Sequence, residues 1–411
     1  MKKILFVSGV TPYDSVSHAG GKTINSYVKA LSHNFEVAVV SLAYESEIDK
    51  MDLEEYGIVS MVGIIKNDIF HKILRRFYDW SYFYNKRDHF ANLSPLSQRN
   101  ALLKMLKILK KKGYSPDIIQ LEYTHIIFLA EQIKTIYPNA MIVASEHDVT
   151  FLRLEREMIY TTEKKKKKVV QNRYSICKKV ELDILRRCNL IVTHNIKDAK
   201  LLVENGLSKK YIYSIVPHYM HLEPISYCQT SNKVFFFGAM GRRENYLSAI
   251  WFIENVLPQL DNITFYVVGG NPPNQLKQYE SDKVIITGFV DQVDKYFKDS
   301  LCMVAPLVLG AGIKVKILEA MSAGVVTLTN DIGIEGIPAK DGIEYIFCKE
   351  PSDYVDAIKQ LQTGKILGKD ISDGARSFTQ KEFNLEDSIK RYAETLLKLN
   401  LYEICSLYCG L

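Results

Sequence analysis

Short runs of β-branched and aromatic residues recur along the chain, each bounded by turn residues, and this pattern predicts strands. In the first half these runs occupy residues 4–8, 35–42, 59–65, 117–121, 141–145 and 190–193. Apolar positions at helical spacing lie between most of the runs. Because strands alternate with helices, we expect a mostly parallel sheet with crossover helices.

The same alternation begins again in the second half. There the predicted strands occupy residues 233–237, 264–268, 283–286, 301–305, 325–329 and 345–347. A polar segment with two prolines, Pro217 and Pro224, separates the two series. We therefore predict an N-terminal domain over residues 1–216, a linker over residues 217–232 and a C-terminal domain over residues 233–383.

The fold class that follows is α/β, with two Rossmann-like, doubly wound domains facing a central cleft. A cleft between domains is the expected ligand site. Helical spacing over residues 385–399 also predicts a terminal helix, within residues 384–411, that could brace both domains.

Composition agrees with an ordered two-domain protein, since 47% of the 411 residues are hydrophobic and 24% are charged. The net charge of +6 comes from 53 basic and 47 acidic residues, a balance too even to require nucleic acid as a partner. The opening apolar run stops at Val7, which favours a first strand over a signal peptide.

No run reaches the roughly 18 apolar residues that a membrane-spanning helix needs, so we expect a soluble protein or one that lies on a membrane. The seven cysteines are scattered without a C-x-x-C spacing. This pattern indicates reduced thiols in the cytoplasm, with neither a disulfide framework nor a zinc site.

The most informative segment is residues 304–336, where a strand is followed by a glycine-bearing loop and a predicted helix over residues 313–323. Gly310 and Gly312 permit close approach of a ligand to the backbone, at the sheet edge where α/β proteins bind ligands. Lys314 and Lys316 add positive charge beside a helix start, which suits a diphosphate. Glu319, one turn further on, suits the paired hydroxyls of a ribose.

This segment, G-x-G-I-K-x-K-x-L-E-A-M-x-x-G followed by G-x-E-G, resembles the donor-binding segment of GT4 glycosyltransferases, which have the GT-B fold. The stretches 235–252, 266–273 and 284–290 resemble successive parts of the same C-terminal domain. Many family members carry a second glutamate eight positions before the one matched by Glu319, and here that position is Ala311. The contact of that glutamate with the transferred sugar would then pass to backbone N–H groups near Gly312, or the sugar would be held differently.

In the first half, the resemblance covers the Gly20-Gly21 pair, expected to precede a helix over residues 22–31, and the turn after the strand that ends near His147. A donor phosphate or an acceptor would approach the glycine pair. In similar enzymes a histidine at the position of His147 contacts the donor sugar. Asp148 is expected either to orient that imidazole or to cap the next helix.

The resemblance implies a transferase that moves a sugar from a nucleotide-diphosphate-sugar donor to a glycan or lipid-linked acceptor, in bacterial-type surface polysaccharide or glycoconjugate synthesis. It implies retention of anomeric configuration and no obligatory metal or cofactor. The expected roles are His147 and Glu319 in catalysis, with donor binding by Gly20, Gly21, Arg242, Gly310, Gly312, Lys314, Lys316 and Glu319. Arg242 is included because it opens a strand-to-helix loop at the ligand-binding edge of the sheet.

Two other functions remain as alternatives. A P-loop nucleotidase is suggested by Gly20-Gly21-Lys22-Thr23, although the Walker pattern needs a glycine where this chain has Val16. A non-catalytic nucleotide-sugar-binding or RNA-binding module is suggested by Ala311, although the chain shows no aromatic RNA-binding motif. His18, just before the glycine pair, is a further but weaker site candidate.

An aromatic stripe lies in residues 70–90, with Ile73, Phe77, Trp80 and Tyr84 at helical spacing and basic residues beside it. The pattern fits a core-packed amphipathic helix or a face that lies on a membrane. Five consecutive lysines, residues 164–168, fit a solvated helix face or contact with anionic lipid headgroups. A peripheral location on the inner face of the cytoplasmic membrane is therefore one expectation.

Overall fold

The computed structural model describes residues 1–16, 19–66, 68–86, 95–216, 219, 224–310 and 312–399. These residues form two compact units. The first unit holds residues 1–216 together with residues 385–399, and the second holds residues 219–384.

The strands of the first unit agree closely with those predicted, apart from a short additional strand at its end. They are β1 (Lys3–Val7), β2 (Glu36–Tyr44), β3 (Val59–Ile65), β4 (Ile118–Glu122), β5 (Met141–Glu146), β6 (Leu190–Thr193) and β7 (Ile212–Ser214). All pairs are parallel, and the order is β3-β2-β1-β4-β5-β6-β7. The sheet therefore changes its winding direction between β1 and β4.

Helices connect these strands. They are α1 (Ala19–Leu31), α2 (Ile69–Lys86), α3 (Leu96–Lys111), α4 (Thr124–Ile127), α5 (Ala130–Ile136), α6 (Thr150–Tyr160), α7 (Lys164–Leu185) and α8 (Ile196–Glu204). Three 3-10 turns lie at Glu45–Lys50, Leu53–Tyr56 and Lys209–Tyr211.

The central strand β1 is buried on both faces, as expected for a parallel sheet covered by helices. Leu5 and Val7 belong to the apolar core on one face, and Ile4 and Phe6 belong to the core on the other. This alternation follows from the two-residue period of a strand.

The strands of the second unit are β8 (Lys233–Phe237), β9 (Thr264–Val268), β10 (Val284–Gly288), β11 (Cys302–Ala305), β12 (Thr327–Thr329) and β13 (Ile346–Phe347). They form a parallel sheet in the order β10-β9-β8-β11-β12-β13, so its winding changes direction between β8 and β11. The helices are α9 (Arg243–Asn255), α10 (Asn274–Lys277), α11 (Asp294–Lys298), α12 (Val315–Ala323), α13 (Pro351–Gln362) and α14 (Gly368–Glu382), with a 3-10 turn at Leu257–Gln259. The prediction of two doubly wound, Rossmann-like halves is confirmed.

The last described helix, α15 (Leu385–Lys398), returns to the first unit. Its residues Tyr392, Ala393 and Leu396 are buried in the same apolar core as Ile4 and Phe6. The first unit is therefore built from both ends of the described chain.

Helix α2 carries the predicted aromatic stripe, and the stripe faces solvent. Ile73 is 62% exposed, Phe77 is 65% exposed and Trp80 is 61% exposed. The core-packed interpretation of the stripe is therefore wrong for these three residues. The side chain of Tyr84, like residues 87–94, lies outside what the structure describes.

The lysine run, residues 164–168, begins α7 and is exposed. Among the helices that the structure describes, none combines the length and the apolar character needed to cross a bilayer.

Candidate functional site

In the second unit, the candidate site forms where β8 and β9 end. Gly238 has φ 155° and Gly269 has φ 143°, backbone conformations that favour glycine. A Cβ atom on Gly269 would lie 1.8 Å from the carbonyl oxygen of Gly238, so the two backbones touch directly. The two glycines thus let the ends of β8 and β9 pack closely, beside the point where the sheet changes direction.

The loop after β11 reaches the same edge. Gly310 has φ 125° and Gly312 has φ 68°, and both values lie in the region that glycine adopts most easily. Helix α12 begins at Val315, two residues later than predicted, because Lys314 has the extended conformation of an N-cap residue. Ala311, where the resemblance expects a glutamate, lies outside the described residues.

Lys316 lies in the first turn of α12, and its side chain reaches Gly238 after the end of β8. Its Nζ lies 4.6 Å from the centre of the Phe236 ring and donates a hydrogen bond to Oδ1 of Asn245. A Cβ atom on Gly238 would lie 2.7 Å from this Nζ. Asn245 is held in turn by a 2.9 Å hydrogen bond from its Nδ2 to the carbonyl of Ala239.

Burial of the Lys316 ammonium lowers its pKa to about 7. The positive charges of Arg242 and Lys314 lower this pKa further, whereas the carboxylates of Glu244 and Glu319 raise it. The other charged residues predicted for this half of the site therefore all act on the Lys316 ammonium; they are Arg242, Lys314 and Glu319. We call Arg242, Lys314 and Lys316 the basic cluster.

The other members of the basic cluster have acidic partners. Lys314 Nζ donates to the carbonyl of Gly312 and lies 3.7 Å from Oε2 of Glu335, whose side chain is completely buried. Arg242 is mostly exposed and pairs with Glu244 at 2.5 Å. The basic cluster is thus partly neutralised by carboxylates within the second unit.

In the first unit, His147 follows β5 directly, and its Nε2 lies 2.7 Å from Oε2 of Glu122. Glu122 ends the neighbouring strand β4 and is completely buried. Asp148 instead lies 3.5 Å from Nε of Arg153. The start of α6 is capped by Glu181, which accepts hydrogen bonds from the backbone of Thr150 and Phe151. The contact with the His147 imidazole that was predicted for Asp148 is therefore made by Glu122, and the cap of the next helix is provided by Glu181.

Two aromatic rings enclose the imidazole of His147. The ring of Tyr123 is stacked on one side at 3.9 Å between centroids, and the ring of His194 is stacked at 4.2 Å. Burial, and then the proximity of His147, lower the pKa of His194 well below its usual value. We call Tyr123, His147 and His194 the ring stack.

The glycine pair meets the ring stack through Tyr123. Helix α1 begins at Ala19, so Gly20 and Gly21 lie inside its first turn. The prediction that the pair precedes the helix was wrong. A Cβ atom on Gly20 would lie 1.7 Å from the hydroxyl oxygen of Tyr123. Glycine is needed at this position because a tyrosine occupies the space. His18 lies outside the described residues.

Tyr123 itself has φ 70° and ψ 147°, a combination that only glycine adopts without strain. Such strained residues are concentrated at functional sites. No local sequence signal distinguished Tyr123, Glu122 or His194, because each acquires its role from a neighbouring strand. Asn245 and Glu335 were missed for the same reason, although Glu335 belongs to the G-x-E-G motif.

Residues 231–363, about a third of the chain, match the family model described as Glycosyl transferases group 1. No curated protein matches the chain.

Solved structures are similar over nearly the whole chain. Anabaena Alr3699/HepE in complex with UDP-glucose has a TM-score of 0.69 at 14% identity, covering 97% of this chain and 100% of that one. Sucrose-phosphate synthase from Thermosynechococcus elongatus has a TM-score of 0.73 at 13% identity, covering 97% and 99%. A variant of S. aureus TarM in complex with fondaparinux, α-GlcNAc-glycerol and UDP has a TM-score of 0.65 at 12% identity, covering 96% and 99%.

At these identities the structural likeness establishes the fold. The chain has the GT-B fold, and the part of it that contains the basic cluster matches the family model of the group 1 glycosyltransferases.

Proposed function

We propose that this protein is a glycosyltransferase that moves a sugar from a nucleotide-diphosphate-sugar donor to a glycan or lipid-linked acceptor. The observation that carries the proposal is the convergence of the basic cluster on a glycine-lined strand edge where the sheet changes direction. A diphosphate needs both positive charge and close backbone approach, and this edge offers both.

In this proposal the second unit holds the donor. Gly310 and Gly312 let the diphosphate approach the start of α12, and the basic cluster balances its charge. Glu319, half-buried on α12, accepts hydrogen bonds from the ribose hydroxyls. A carboxylate is a suitable acceptor for paired hydroxyls, whereas it repels phosphate.

Catalysis would come mainly from electrostatic stabilisation. As the bond between the sugar and the diphosphate breaks, negative charge grows on the leaving diphosphate. In this proposal Lys314, Lys316 and Arg242 stabilise this charge more in the transition state than in the ground state. His147 of the first unit would contact the transferred sugar, and retention of anomeric configuration is part of the proposal.

The donor proposal gains support from the similar structures that contain UDP or UDP-glucose. We propose the first unit as the acceptor domain and synthesis of surface polysaccharides or glycoconjugates as the biological setting. No obligatory metal or further cofactor forms part of the proposed reaction.

We also propose that the protein works at the inner face of the cytoplasmic membrane. The exposed stripe on α2 is the observation that favours this location. Helix α2 packs beside α3, whose residues Lys104, Lys107 and Lys111 are exposed. Apolar rings next to lysines are the combination that binds anionic membrane surfaces.

The central test is a screen of UDP-, GDP- and ADP-sugars by thermal shift, followed by turnover of a labelled donor. Selective binding raises the melting temperature, because the ligand binds only the folded state. Lys314→Ala and Lys316→Ala should weaken nucleoside diphosphate binding more than nucleoside binding, whereas Lys340→Ala, an exposed control in the same unit, should change neither. Selective binding without any transfer or hydrolysis would instead indicate a non-catalytic nucleotide-sugar-binding module.

A further inference from the structure

A chain of buried polar side chains lies behind His147. Glu122 accepts from His147 through Oε2 at 2.7 Å and from Nε2 of Gln120 through Oε1, also at 2.7 Å. The Oε1 atom of Gln120 lies 2.8 Å from the hydroxyl of Tyr392 in α15. Glu122, Gln120 and Tyr392 have no exposed surface.

When Glu122 is a carboxylate, only one placement of hydrogens satisfies this chain. A carboxylate accepts hydrogen bonds and donates none, so His147 and Gln120 must both donate to Glu122. The amide oxygen of Gln120 then faces Tyr392, and the tyrosine hydroxyl must donate to it. Every hydrogen bond in the chain therefore points toward Glu122.

This arrangement fixes which nitrogen of His147 carries a proton. Nε2 is protonated in order to donate to Glu122, so in the neutral imidazole Nδ1 is the nitrogen that can accept a hydrogen bond from a ligand. Within the described residues no protein group forms a hydrogen bond with Nδ1. The stacked rings of Tyr123 and His194 hold the plane of the imidazole at the same time.

A buried carboxylate is costly unless hydrogen bonds compensate for the loss of water. Glu122 accepts two such bonds. One of them comes from His147, the residue that the resemblance marks as a contact of the donor sugar. A purely structural role would be met equally well by an uncharged amide.

We propose that Glu122 is a positioning residue that fixes the Nε2-protonated tautomer of His147, and that Gln120 and Tyr392 hold Glu122 in place. This inference rests on the proposed function, in which His147 contacts the transferred sugar. It gives α15 a specific role, because Tyr392 of this helix donates the hydrogen bond that orients Gln120.

The decisive variant is Glu122→Gln. Its amide oxygen still accepts from Gln120, which leaves the new amide nitrogen facing Nε2 of His147. That nitrogen donates, so Nε2 becomes the acceptor and the imidazole is protonated on Nδ1. The opposite amide orientation would reverse the two bonds that Gln120 makes and would leave the Tyr392 hydroxyl without an acceptor.

The ring 15N chemical shifts of His147 in protein labelled at histidine report the tautomer directly. We expect protonation at Nε2 in the natural protein and at Nδ1 in Glu122→Gln. Donor kcat/KM should fall by about ten-fold or more, because Nδ1 then carries a proton and no longer accepts a hydrogen bond from the sugar. Binding of the nucleoside diphosphate alone should stay within about two-fold, because that ligand lacks the sugar.

Tyr392→Phe should act in the same direction, with a smaller loss of kcat/KM, because Gln120 loses the donor that orients it. Tyr137→Phe is the matched control, since Tyr137 is also buried in the first unit and its hydroxyl donates to the backbone carbonyl of Leu106. The control should leave both the tautomer and kcat/KM unchanged.

An unchanged His147 tautomer in folded Glu122→Gln would overturn the inference. A changed tautomer with unchanged kcat/KM would also overturn the positioning role. If the natural protein turned over no nucleotide sugar, the proposed function would fail, but the tautomer measurement would still decide whether Glu122 sets the state of His147.

Discussion

The ammonium of Lys314 lies 3.7 Å from the carboxylate of Glu335, in a pair whose acidic member is completely buried. Lys314 comes from the loop before α12, and Glu335 comes from the loop after β12. The lysine proposed to bind a diphosphate is therefore already partly neutralised by the protein itself. A ligand phosphate must compete with this carboxylate.

Removing the charge of Glu335 should strengthen nucleoside diphosphate binding. In Glu335→Gln the basic cluster gains one unit of net positive charge, and we expect Kd to fall by about three- to ten-fold at low salt. Calorimetry with the nucleoside diphosphate and the nucleoside should show the gain for the first ligand alone. Glu382→Gln, which removes an exposed acidic partner of Lys381, is the control. Weaker diphosphate binding in Glu335→Gln would show that Glu335 orients Lys314 and does not compete for it.

Nucleoside diphosphate binding should weaken as the pH rises above about 7. Burial lowers the pKa of Lys316 to about 7, so this side chain is charged below that pH and mostly neutral above it. A bound diphosphate favours the charged form, and binding at pH 8 should therefore take up close to one proton. Kd should rise by up to about ten-fold per pH unit above 7.

Titrations in buffers of different ionisation enthalpy would measure this proton uptake. Lys316→Met should abolish the uptake and flatten the pH dependence, whereas nucleoside binding should vary little with pH in either protein. The assignment of Lys316 to the diphosphate would be contradicted by equal proton uptake in Lys316→Met.

Glu319→Gln should raise donor KM and lower kcat/KM while leaving the fold intact, because glutamine is nearly isosteric with glutamate but lacks its charge. The proposed contact between Glu319 and the ribose hydroxyls can also be tested with a ligand that lacks these hydroxyls. The natural protein should prefer a nucleoside diphosphate over its 2′,3′-dideoxy analogue, and Glu319→Gln should lose most of that preference. Equal discrimination by both proteins would place Glu319 away from the ribose.

The exposed stripe on α2 should bind anionic membranes. Replacing Phe77 and Trp80 together by serine should greatly reduce sedimentation with anionic liposomes, because the stripe loses its two large rings. Replacing Lys165, Lys166 and Lys167 by glutamine should weaken binding through charge, at about 1 kcal/mol for each lysine that lies near the surface. Phe289→Ser, which removes an exposed ring from the second unit, is the control.

Neutral liposomes should show little binding to any of these variants, and donor hydrolysis should persist in all of them. Sedimentation of the Phe77 and Trp80 double variant at the level of the natural protein would remove α2 from the membrane proposal. Absence of binding by the natural protein would end that proposal.

Local sequence patterns were sufficient to predict most of the strands. β3, β6, β8 and β9 occupy the predicted residues, because β-branched runs and the turn residues around them are local signals. β7, whose three residues are only partly buried, was not predicted. The glycine loop before α12 was predicted for the same local reason, since glycine is the residue that adopts positive φ without strain.

The partners of the functional side chains depended on the tertiary structure. His147 meets Glu122 because β5 lies beside β4, and Lys316 meets Asn245 because β11 lies beside β8. Strand order is set by the packing of whole layers, and periodicity within one segment carries no record of it. Tyr392 reaches Gln120 from 272 positions away because α15 packs into the core of the first unit.

The sequence by itself also determined that the α2 stripe is amphipathic, but this pattern fitted both burial and exposure. Whether an apolar face is covered depends on which other elements pack against it, and in this fold Ile73, Phe77 and Trp80 face solvent. The chain thus encodes its strands, its glycine loops and its charged motif locally. The pairing of charges, the tautomer of His147 and the exposure of the stripe were decided only when distant segments came together.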